Sequence, residues 1–298
     1  AREISVDLYQ QFMADNAYPE EKKPIEWEGV YKFTRLSKQD RLRHPVQSVD
    51  WYQAVMFCNW LSWREKRQPC YEVEKDSDGR YRVELIEFAD GYSLPTHAEW
   101  EYACRAGTTS AYYFGDDPDD LEDHAWNIET SDDERHPVGE LKPNPWGLHD
   151  MYGNVAEWVL DEYSEEGYDH IKAGESVSTD QAFRRPTKLY PRVIRGGSWE
   201  LEPEDCRSAA RLGSDDKEWK YEDPNFPKSP WWFTSDPARG VGFRIFRSYT
   251  PLDNKTVTNF WKANSSDVVE DVEARLLGGR GVLGLVNETL PEAIKNAN

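Results

Sequence analysis

One motif carries more information about the fold than any other part of this sequence: Asn144-Pro-Trp-Gly-Leu-His-Asp-Met-Tyr-Gly-Asn-Val-Ala-Glu-Trp158. It combines glycines, which permit tight turns, with two acidic residues and two tryptophans. Two further motifs follow it, Arg195-Gly-Gly-Ser-Trp199 and Gly240-Val-Gly-Phe-Arg244. In both, a glycine turn stands beside a short apolar run, and this pattern predicts short strands that enter or leave tight turns.

The composition agrees with a domain built from loops and aromatic rings. The 298 residues include 13 Trp and 16 Tyr but are only 38% hydrophobic, so the rings must supply much of the core volume. A net charge of −20 argues against a nucleic-acid partner, because phosphate contacts need a basic surface. The acidity indicates a solvated surface, and the alternatives are cation binding or a basic partner. With no run of 18 apolar residues, the sequence predicts no membrane span.

Local patterns predict three helices and one hairpin. The helices are expected over Ser5–Asn16, over Val49–Lys66 with Asp50 as cap, and from Thr96 to Gly107, where Thr96 and Glu99 form a capping box. The hairpin is expected to pair Cys70–Glu74 with Tyr81–Phe88. Residues 17–47 and 108–145 are expected to be loops. The four cysteines show no Cys-x-x-Cys spacing, which favours buried, reduced thiols over at most two disulfides.

Nine motifs in register make this chain resemble the formylglycine-generating enzyme, or sulfatase-modifying factor, family. They are His44-Pro-Val46, Ala54–Trp60, Leu94–Tyr102, Arg105-Ala-Gly107, His136-Pro-Val-Gly139, Asn144–Trp158, Arg195–Trp199, Ser208-Ala-Ala-Arg211 and Gly242-Phe-Arg244. The resemblance implies an α+β, C-type-lectin-like fold with little regular secondary structure, two main helices and short antiparallel strands. It places the family domain at residues 1–248, with a trimmed N-terminal edge, and a C-terminal extension at 249–298.

The same resemblance implies a structural Ca²⁺ ion in the loop Asp150–Glu157. The family's ligands correspond to the side chains of Asp150 and Glu157 and to the backbone carbonyls of Gly153 and Val155. The chemistry is reasonable, because Ca²⁺ prefers carboxylate and carbonyl oxygens. Without the resemblance, an ordinary loop with a solvated acid at each end would be the preferred interpretation.

A second calcium site, known in some relatives, would lie near Asn127-Ile128. The following loop is short, and it offers only Asp132 and Asp133 as candidates, so we expect this site to be absent.

The copper chemistry of the family's oxidases requires two cysteines shortly after the Gly-Gly-Ser-Trp turn. In this chain, counting forward from Trp199 gives Leu201 and Cys206, and counting back from Arg211 moves Cys206 off the second position. Because Cu(I) needs a pair of soft thiolates here, we do not expect copper as a cofactor. Cys206 and Ser198, which matches a serine near the oxidase site, remain weak catalytic candidates.

These observations favour a binding or scaffolding module for a protein, peptide or glycan. Its groove is expected near the Gly-Gly-Ser-Trp turn and the insertion at 212–238, with Trp199, Arg211, Trp231 and Trp232 as ligand-binding residues. Trp231 and Trp232 could equally pack onto the core and close the insertion, and we give this alternative the same weight. The alternative function is an oxidoreductase of the same family with an altered redox site that uses Cys206. The sequence does not indicate the ligand, the oligomeric state or the compartment.

Overall fold

A computed structural model describes residues 1–25, 27, 37–75, 81–86, 89–168, 171–172, 177, 179–186, 191–214 and 240–247. Its helices are α1 (Val6–Ala14), α2 (Lys38–Arg43), α3 (Trp51–Arg64), α4 (His97–Arg105) and α5 (Thr179–Ala182). Short 3₁₀ turns lie at Glu20–Lys22, Pro118–Asp123 and Pro203–Cys206. The predicted extension at 249–298 lies outside the described residues, and so do Trp231 and Trp232.

The strands form a hairpin and a four-stranded sheet. The hairpin pairs β1 (Tyr71–Lys75) with β2 (Tyr81–Leu85). The sheet contains β3 (Ala156–Glu162), β4 (Arg192–Arg195), β5 (Arg211–Gly213) and β6 (Val241–Gly242) in the order β5-β4-β3-β6. The β3–β4 and β4–β5 pairs are antiparallel, whereas β3 and β6 run parallel. β3 is therefore a central strand.

The sheet separates two buried clusters, because successive side chains of a strand point to opposite faces. Trp158 and Ile194 belong to the larger cluster, together with Tyr9 and Phe12 of α1 and most of α3. Val159 and Val193 belong to the second cluster, whose large members include Trp100 of α4 and the tyrosines of nearby loops. Aromatic rings thus fill both sides of a small sheet, as the composition predicts.

α3 is the central helix of the larger cluster. Its N-terminus is closed by a capping box in which Asp50 accepts from the backbone N–H of Gln53, and Gln53 accepts in return from that of Asp50. Eleven of its fourteen residues are buried, so the helix is apolar nearly all round. Phe57 contacts Tyr9 of α1, with ring centroids 5.8 Å apart, and Phe243, with centroids 5.2 Å apart.

α4 begins with the predicted capping box. The Thr96 hydroxyl accepts from the Glu99 N–H at 3.2 Å, and the Glu99 carboxylate accepts from the Thr96 N–H at 2.9 Å. Trp100, Ala103 and Cys104 form its buried face. The helix ends at Ala106 in the left-handed conformation (φ 47°).

The first residues of the chain are hydrogen-bonded to the segments around Val46 and Phe243. The Ile4 N–H donates to the Phe243 carbonyl at 3.1 Å, and the Val46 N–H donates to the Ile4 carbonyl at 2.7 Å. These bonds hold the preceding residue, Glu3, inside the molecule, where it is 4% exposed. The segment therefore contributes directly to the region of the predicted calcium loop.

The predicted helices around α1, α3 and α4 and the predicted hairpin are confirmed, with bounds that differ by a few residues. The predicted loop at 17–47 was wrong at α2, where Ser37 caps a short helix. Leu42 is the one apolar residue of this helix, so no apolar periodicity signals it. The strand pairs are antiparallel as expected, except β3–β6, which is parallel. None of the helices in the described ranges has the length and apolar character needed to cross a bilayer.

Candidate functional site

The loop from Asp150 to Glu157 is tightly folded at the N-terminal end of β3. Three of its residues have positive φ angles: Asp150 (54°), Gly153 (65°) and Asn154 (57°). A Cβ atom at Gly153 would lie 2.1 Å from the carbonyl oxygen of Trp126, so only glycine fits there. Left-handed backbone at two non-glycine residues is uncommon and strained, and such strain is often found at binding sites.

The peptide planes of this loop are oriented by hydrogen bonds to neighbouring segments. The Asn154 N–H donates to the Trp126 carbonyl at 2.7 Å, and the Ala156 N–H donates to the Gly240 carbonyl at 2.8 Å. In a trans peptide the C=O points opposite to the N–H. The carbonyl oxygens of Gly153 and Val155, both predicted Ca²⁺ ligands, are therefore directed away from these two partners.

The two predicted carboxylate ligands are both buried beside Arg244. Glu157, 1% exposed, accepts on Oε2 from Arg244 Nε at 2.5 Å and from Trp100 Nε1 at 2.6 Å. Its other oxygen, Oε1, is buried and has no hydrogen-bond partner. Asp150, 4% exposed, accepts on Oδ2 from the Gly139 N–H at 2.7 Å, and its carbonyl accepts from Arg244 at 2.8 Å.

A third buried carboxylate, which sequence reasoning missed, completes this cluster. Glu3 accepts from the Val155 N–H at 3.0 Å and from the Asn154 side-chain amide at 2.9 Å. Burial, and then the charges of Asp150 and Glu157, raise the pKa of Glu3 well above its usual value. No local signal could have found it, because the contact joins residues about 150 positions apart in the sequence.

The charges of the cluster favour a cation. Burial lowers the pKa of Arg244, but the charge and hydrogen bond of Glu157, with the charges of Glu3 and Asp150, raise it more, so the arginine stays charged. Burial raises the pKa of Asp150, against its Gly139 hydrogen bond and Arg244. One carboxylate, that of Glu157, thus contacts the guanidinium, and the charges of two more act on it. The unpartnered Glu157 oxygen is an available ligand atom.

These residues fit the predicted Ca²⁺ site in donor type, although a cluster of side chains alone does not define it. In the described ranges no group of three or more His, Cys, Asp or Glu side chains is arranged to hold a metal ion. The predicted ligand set has two side chains and two backbone carbonyls, so it depends on the loop backbone. At the second, disfavoured position, Asn127 Oδ1 accepts from the N–H groups of Glu129 and Thr130 at 3.1 and 3.2 Å.

The Gly-Gly-Ser-Trp turn packs directly on Cys206. Gly197 has φ 72°, and a Cβ atom there would lie 2.5 Å from the Cys206 sulfur. Cys206 is fully buried, and burial, followed by the charge of Asp205, raises the pKa of its thiol to about 12. Ser198 is also fully buried, and its hydroxyl accepts from the Glu200 N–H at 3.3 Å. All four cysteines are buried and outside disulfides, as predicted.

The predicted groove residues are not gathered into one described surface. Trp199 is 6% exposed, and its backbone N–H donates to the Asn154 carbonyl at 3.0 Å. Arg211 lies on β5, where its guanidinium donates to the carbonyls of Ser164 and Glu165 and covers the ring of Tyr163. The predicted contribution of Trp231 and Trp232 falls outside the described residues.

The other end of β3 carries a small pocket that is open to solvent. Its lining includes His97, Asp161, Tyr168, Arg184 and Arg211. His97 is the first residue of α4. β3 therefore has the predicted calcium loop at its N-terminal end and a polar pocket at its C-terminal end.

Comparisons with known proteins agree with the motifs. The model of the sulfatase-modifying factor enzyme 1-like domain matches residues 1–221. A chaperone protein, LppX, of Paenibacillus barcinonensis is 34% identical over 52% of this chain and 59% of its own length. The formylglycine-generating enzyme of Thermomonospora curvata is 31% identical over 58% of this chain and 51% of its own length. The chain thus spans little more than half the length of these two relatives.

Two solved structures share the fold over most of their length. Treponema denticola variable protein 1 superposes with a TM-score of 0.59 and 27% identity, covering 82% of this chain and 81% of its own. The protein CarF gives a TM-score of 0.55 and 26% identity, with 85% of both chains covered. These matches support the mixed α/β fold of few helices and short strands that the motifs imply.

Proposed function

We propose that this chain, which belongs to the sulfatase-modifying factor enzyme 1-like family, is a binding or scaffolding module and not a copper oxidase. The observation that carries the proposal is the chemistry beside the Gly-Gly-Ser-Trp turn. Leu201 occupies one of the two positions where the resemblance expects cysteine, and Cys206, the candidate for the other, is fully buried. This arrangement offers no pair of accessible sulfur ligands at the turn.

The protonation of the nearby thiols supports the same proposal. A thiolate, not a thiol, is the nucleophile and the metal ligand. The pKa of Cys206 is raised to about 12, and burial raises that of Cys104 to about 11. Cys104 also donates to the Ser208 hydroxyl, with sulfur and oxygen 3.8 Å apart. Both sulfurs are therefore neutral near pH 7 and behave as core groups.

The second candidate function is an oxidoreductase with an altered redox site that uses Cys206. It is favoured by the similarity to enzymes that bear the name formylglycine-generating enzyme, of which one is 31% identical. The burial of the thiol is the observation against it. A conformational change that exposes Cys206 would have to accompany any such activity.

The ligand of the proposed module is a peptide, protein or glycan bound near the Gly-Gly-Ser-Trp turn. The similarity to a protein named a chaperone supports a role in which the domain binds another macromolecule. Arg211 is partly exposed, whereas Trp199 is buried and would act by shaping the turn. In this proposal the aromatic anchors of the groove are Trp231 and Trp232.

The proposed domain holds one structural Ca²⁺ ion, with Asp150, Gly153, Val155 and Glu157 as protein ligands. When bound, the ion supplies positive charge beside the carboxylates. The unpartnered Oε1 oxygen of Glu157 and the excess of buried carboxylates support this site. Asp150 and Glu157 would contribute carboxylate oxygens, and the loop backbone would present the two carbonyls.

The chemical part of the proposal is tested with a sulfatase-type peptide that contains cysteine. The wild-type chain is incubated with this peptide, Cu(I) and oxygen, and the peptide mass is measured. We expect no formylglycine from the wild type or from Cys206→Ser. Formylglycine made by the wild type and lost in Cys206→Ser would establish the second candidate function instead.

The binding part is tested on arrays of immobilised peptides and glycans. The double variant Trp231→Ala/Trp232→Ala should lose the signals that the wild type gives. Trp63→Ala, which removes a 41%-exposed tryptophan of α3, is the matched control and should keep them. Equal signals from the double variant and the wild type would exclude the proposed groove.

The calcium part is tested by titrating the metal-free protein with Ca²⁺ in a calorimeter. The wild type should bind one ion, and Glu157→Gln should bind at least tenfold more weakly. Because a ligand of the folded state alone stabilises by about 2.7 kcal/mol at one hundred times its dissociation constant, the melting temperature should also rise with Ca²⁺. Identical titrations for the two proteins would rule out this site.

A further inference from the structure

We propose that the pocket at the N-terminus of α4 binds a small oxyanion, such as a carboxylate, sulfate or phosphate group. The pocket lies at the end of β3 away from the predicted calcium loop. It shares only Arg211 with the proposed groove, so it can exist whether or not that groove does. Four features support it: a helix start, an unpartnered histidine nitrogen, two arginines and an opening to solvent.

The strongest of these features is the unpartnered nitrogen of His97. This residue is the first of α4 and is only 5% exposed, yet its Nδ1 atom has no hydrogen-bond partner. A buried polar atom without a partner costs free energy, typically more than a hydrogen bond contributes. A ligand oxygen in the pocket would satisfy it by accepting from Nδ1–H.

Two contacts hold His97 in place. Its backbone N–H donates to Asp161 Oδ2 at 2.6 Å, and its imidazole ring packs against the Tyr168 ring with centroids 4.8 Å apart. Both rings line the pocket. The histidine is therefore preorganised, and a ligand would not have to order it on binding.

Two arginines place positive charge at the pocket. Arg211 donates to the Ser164 and Glu165 carbonyls, and Arg184 donates to the Gly167 carbonyl at 3.2 Å. Each guanidinium has five N–H donors, so these bonds leave further donors for a ligand. Both side chains are partly exposed, which allows a ligand to reach them from solvent.

The arginines and the helix start favour an anion, although two acidic residues, Asp161 and Glu162, also line the pocket. The two oxygens of Asp161 accept from the N–H groups of His97 and Arg184, at 2.6 and 3.0 Å, so this carboxylate is already hydrogen-bonded. The charges that act on the His97 ring are those of Arg195 and Arg211, and both are positive. The N-terminus of α4, a nine-residue helix, adds to the same potential.

The test reads His97 directly by NMR in the full chain labelled with ¹⁵N-histidine. Acetate, sulfate and phosphate are titrated in separate arms at neutral pH, with chloride replacing them to hold the ionic strength constant. The His97 signals, assigned with His97→Gln, should move and saturate, whereas those of buried His44 should not. Thermal shifts are unsuitable, because sulfate and phosphate stabilise folded proteins in general.

The separate anion titrations identify the class of ligand, and the variants test which arginine binds it. Saturation by acetate alone indicates a carboxylate ligand, and saturation by sulfate or phosphate indicates a tetrahedral oxyanion. Arg184→Gln should weaken binding at least tenfold, and Arg207→Gln, which changes an exposed arginine outside the pocket, should leave it unchanged. If Arg184→Gln does not fold, the wild-type titrations decide alone.

Three results of the wild-type titrations would overturn the proposal. They are a His97 response that does not saturate, a response equal to that of His44, and a saturable response to ammonium ions in place of the oxyanions. Wild-type affinity in a folded Arg184→Gln protein would also overturn the proposal, because it would show that Arg184 does not contribute to binding.

Discussion

At the scale of single residues, burial sets the protonation of several side chains of this protein. Burial, and then the charges of Arg195 and Arg211, lower the pKa of His97 to about 2 from an ordinary value of 6.5. Burial raises the pKa of Asp161, on the other side of the same pocket, to about 6. Both groups therefore favour their neutral forms more than they would in water.

We predict that His97 makes the fold sensitive to acid. Below about pH 6.5 the unfolded chain binds a proton at this residue and the folded chain does not, so stability falls as the pH falls. Between pH 7 and pH 5 the loss from this residue is about 2 kcal/mol, at about 1.36 kcal/mol per pH unit below the unfolded pKa. His97→Gln should show a correspondingly smaller loss in urea denaturation.

The same measurement at pH 8, where His97 is neutral in both states, gives the packing cost of the substitution and is subtracted. Equal acid sensitivity in the wild type and His97→Gln would contradict this assignment.

At the scale of elements, the loop before β3 combines three left-handed residues with hydrogen bonds to several other segments. Gly153 is enclosed by the Trp126 backbone, whereas Gly147, also in the left-handed region (φ 76°), has no heavy atom within 4 Å of a Cβ built on it. The two glycines therefore share a conformation and differ in their surroundings. This difference separates the cost of backbone strain from that of a steric clash.

We predict that Gly153→Ala costs about 3 kcal/mol or more of unfolding free energy, because strain and a backbone clash add. Gly147→Ala should cost roughly 1 kcal/mol, from strain alone. Urea denaturation of both variants checks this difference. Similar costs for the two would mean that the Gly153 loop opens to accept a methyl group, and the predicted Ca²⁺ ligands would then not be held rigidly.

At the scale of the whole molecule, buried ion pairs join segments that are far apart in the sequence. Arg244 binds Glu157 and the carbonyls of His149 and Asp150, so the end of the described chain is fastened to the loop before β3. Arg195 joins β4 to Glu101 of α4, with nitrogen and oxygen 2.8 Å apart. The arginines of two family motifs thus hold the domain together.

We predict that Arg244→Met destabilises the protein by about 3–5 kcal/mol, because it leaves Glu157 buried without its charged partner. Arg244→Met combined with Glu157→Gln should cost less, since the uncompensated charge is then removed. Urea denaturation without Ca²⁺ measures both. A double variant that is as unstable as the sum of the single variants would show that the pair is not coupled.

Local sequence determined the elements whose signals are short-range. The capping boxes at Asp50 and Thr96 depend on contacts within a few residues, and the β1–β2 pair joins two neighbouring strand-like runs, so capping rules and strand patterns predicted them. The order of the motifs indicated the family, and the matching domain model over residues 1–221 agrees. The absence of a cysteine at Leu201 was likewise readable from the sequence.

Only the tertiary structure decided which distant side chains meet. Glu3 joins the cluster of Asp150 and Glu157 because the first residues pair with segments near Val46 and Phe243, and no sequence pattern records that pairing. The same holds for His97, whose unpartnered nitrogen and two arginine neighbours come together only where α4 meets the end of β3. Short-range hydrogen bonds and turns are encoded in neighbouring residues, whereas burial and charge depend on the packing of the whole chain.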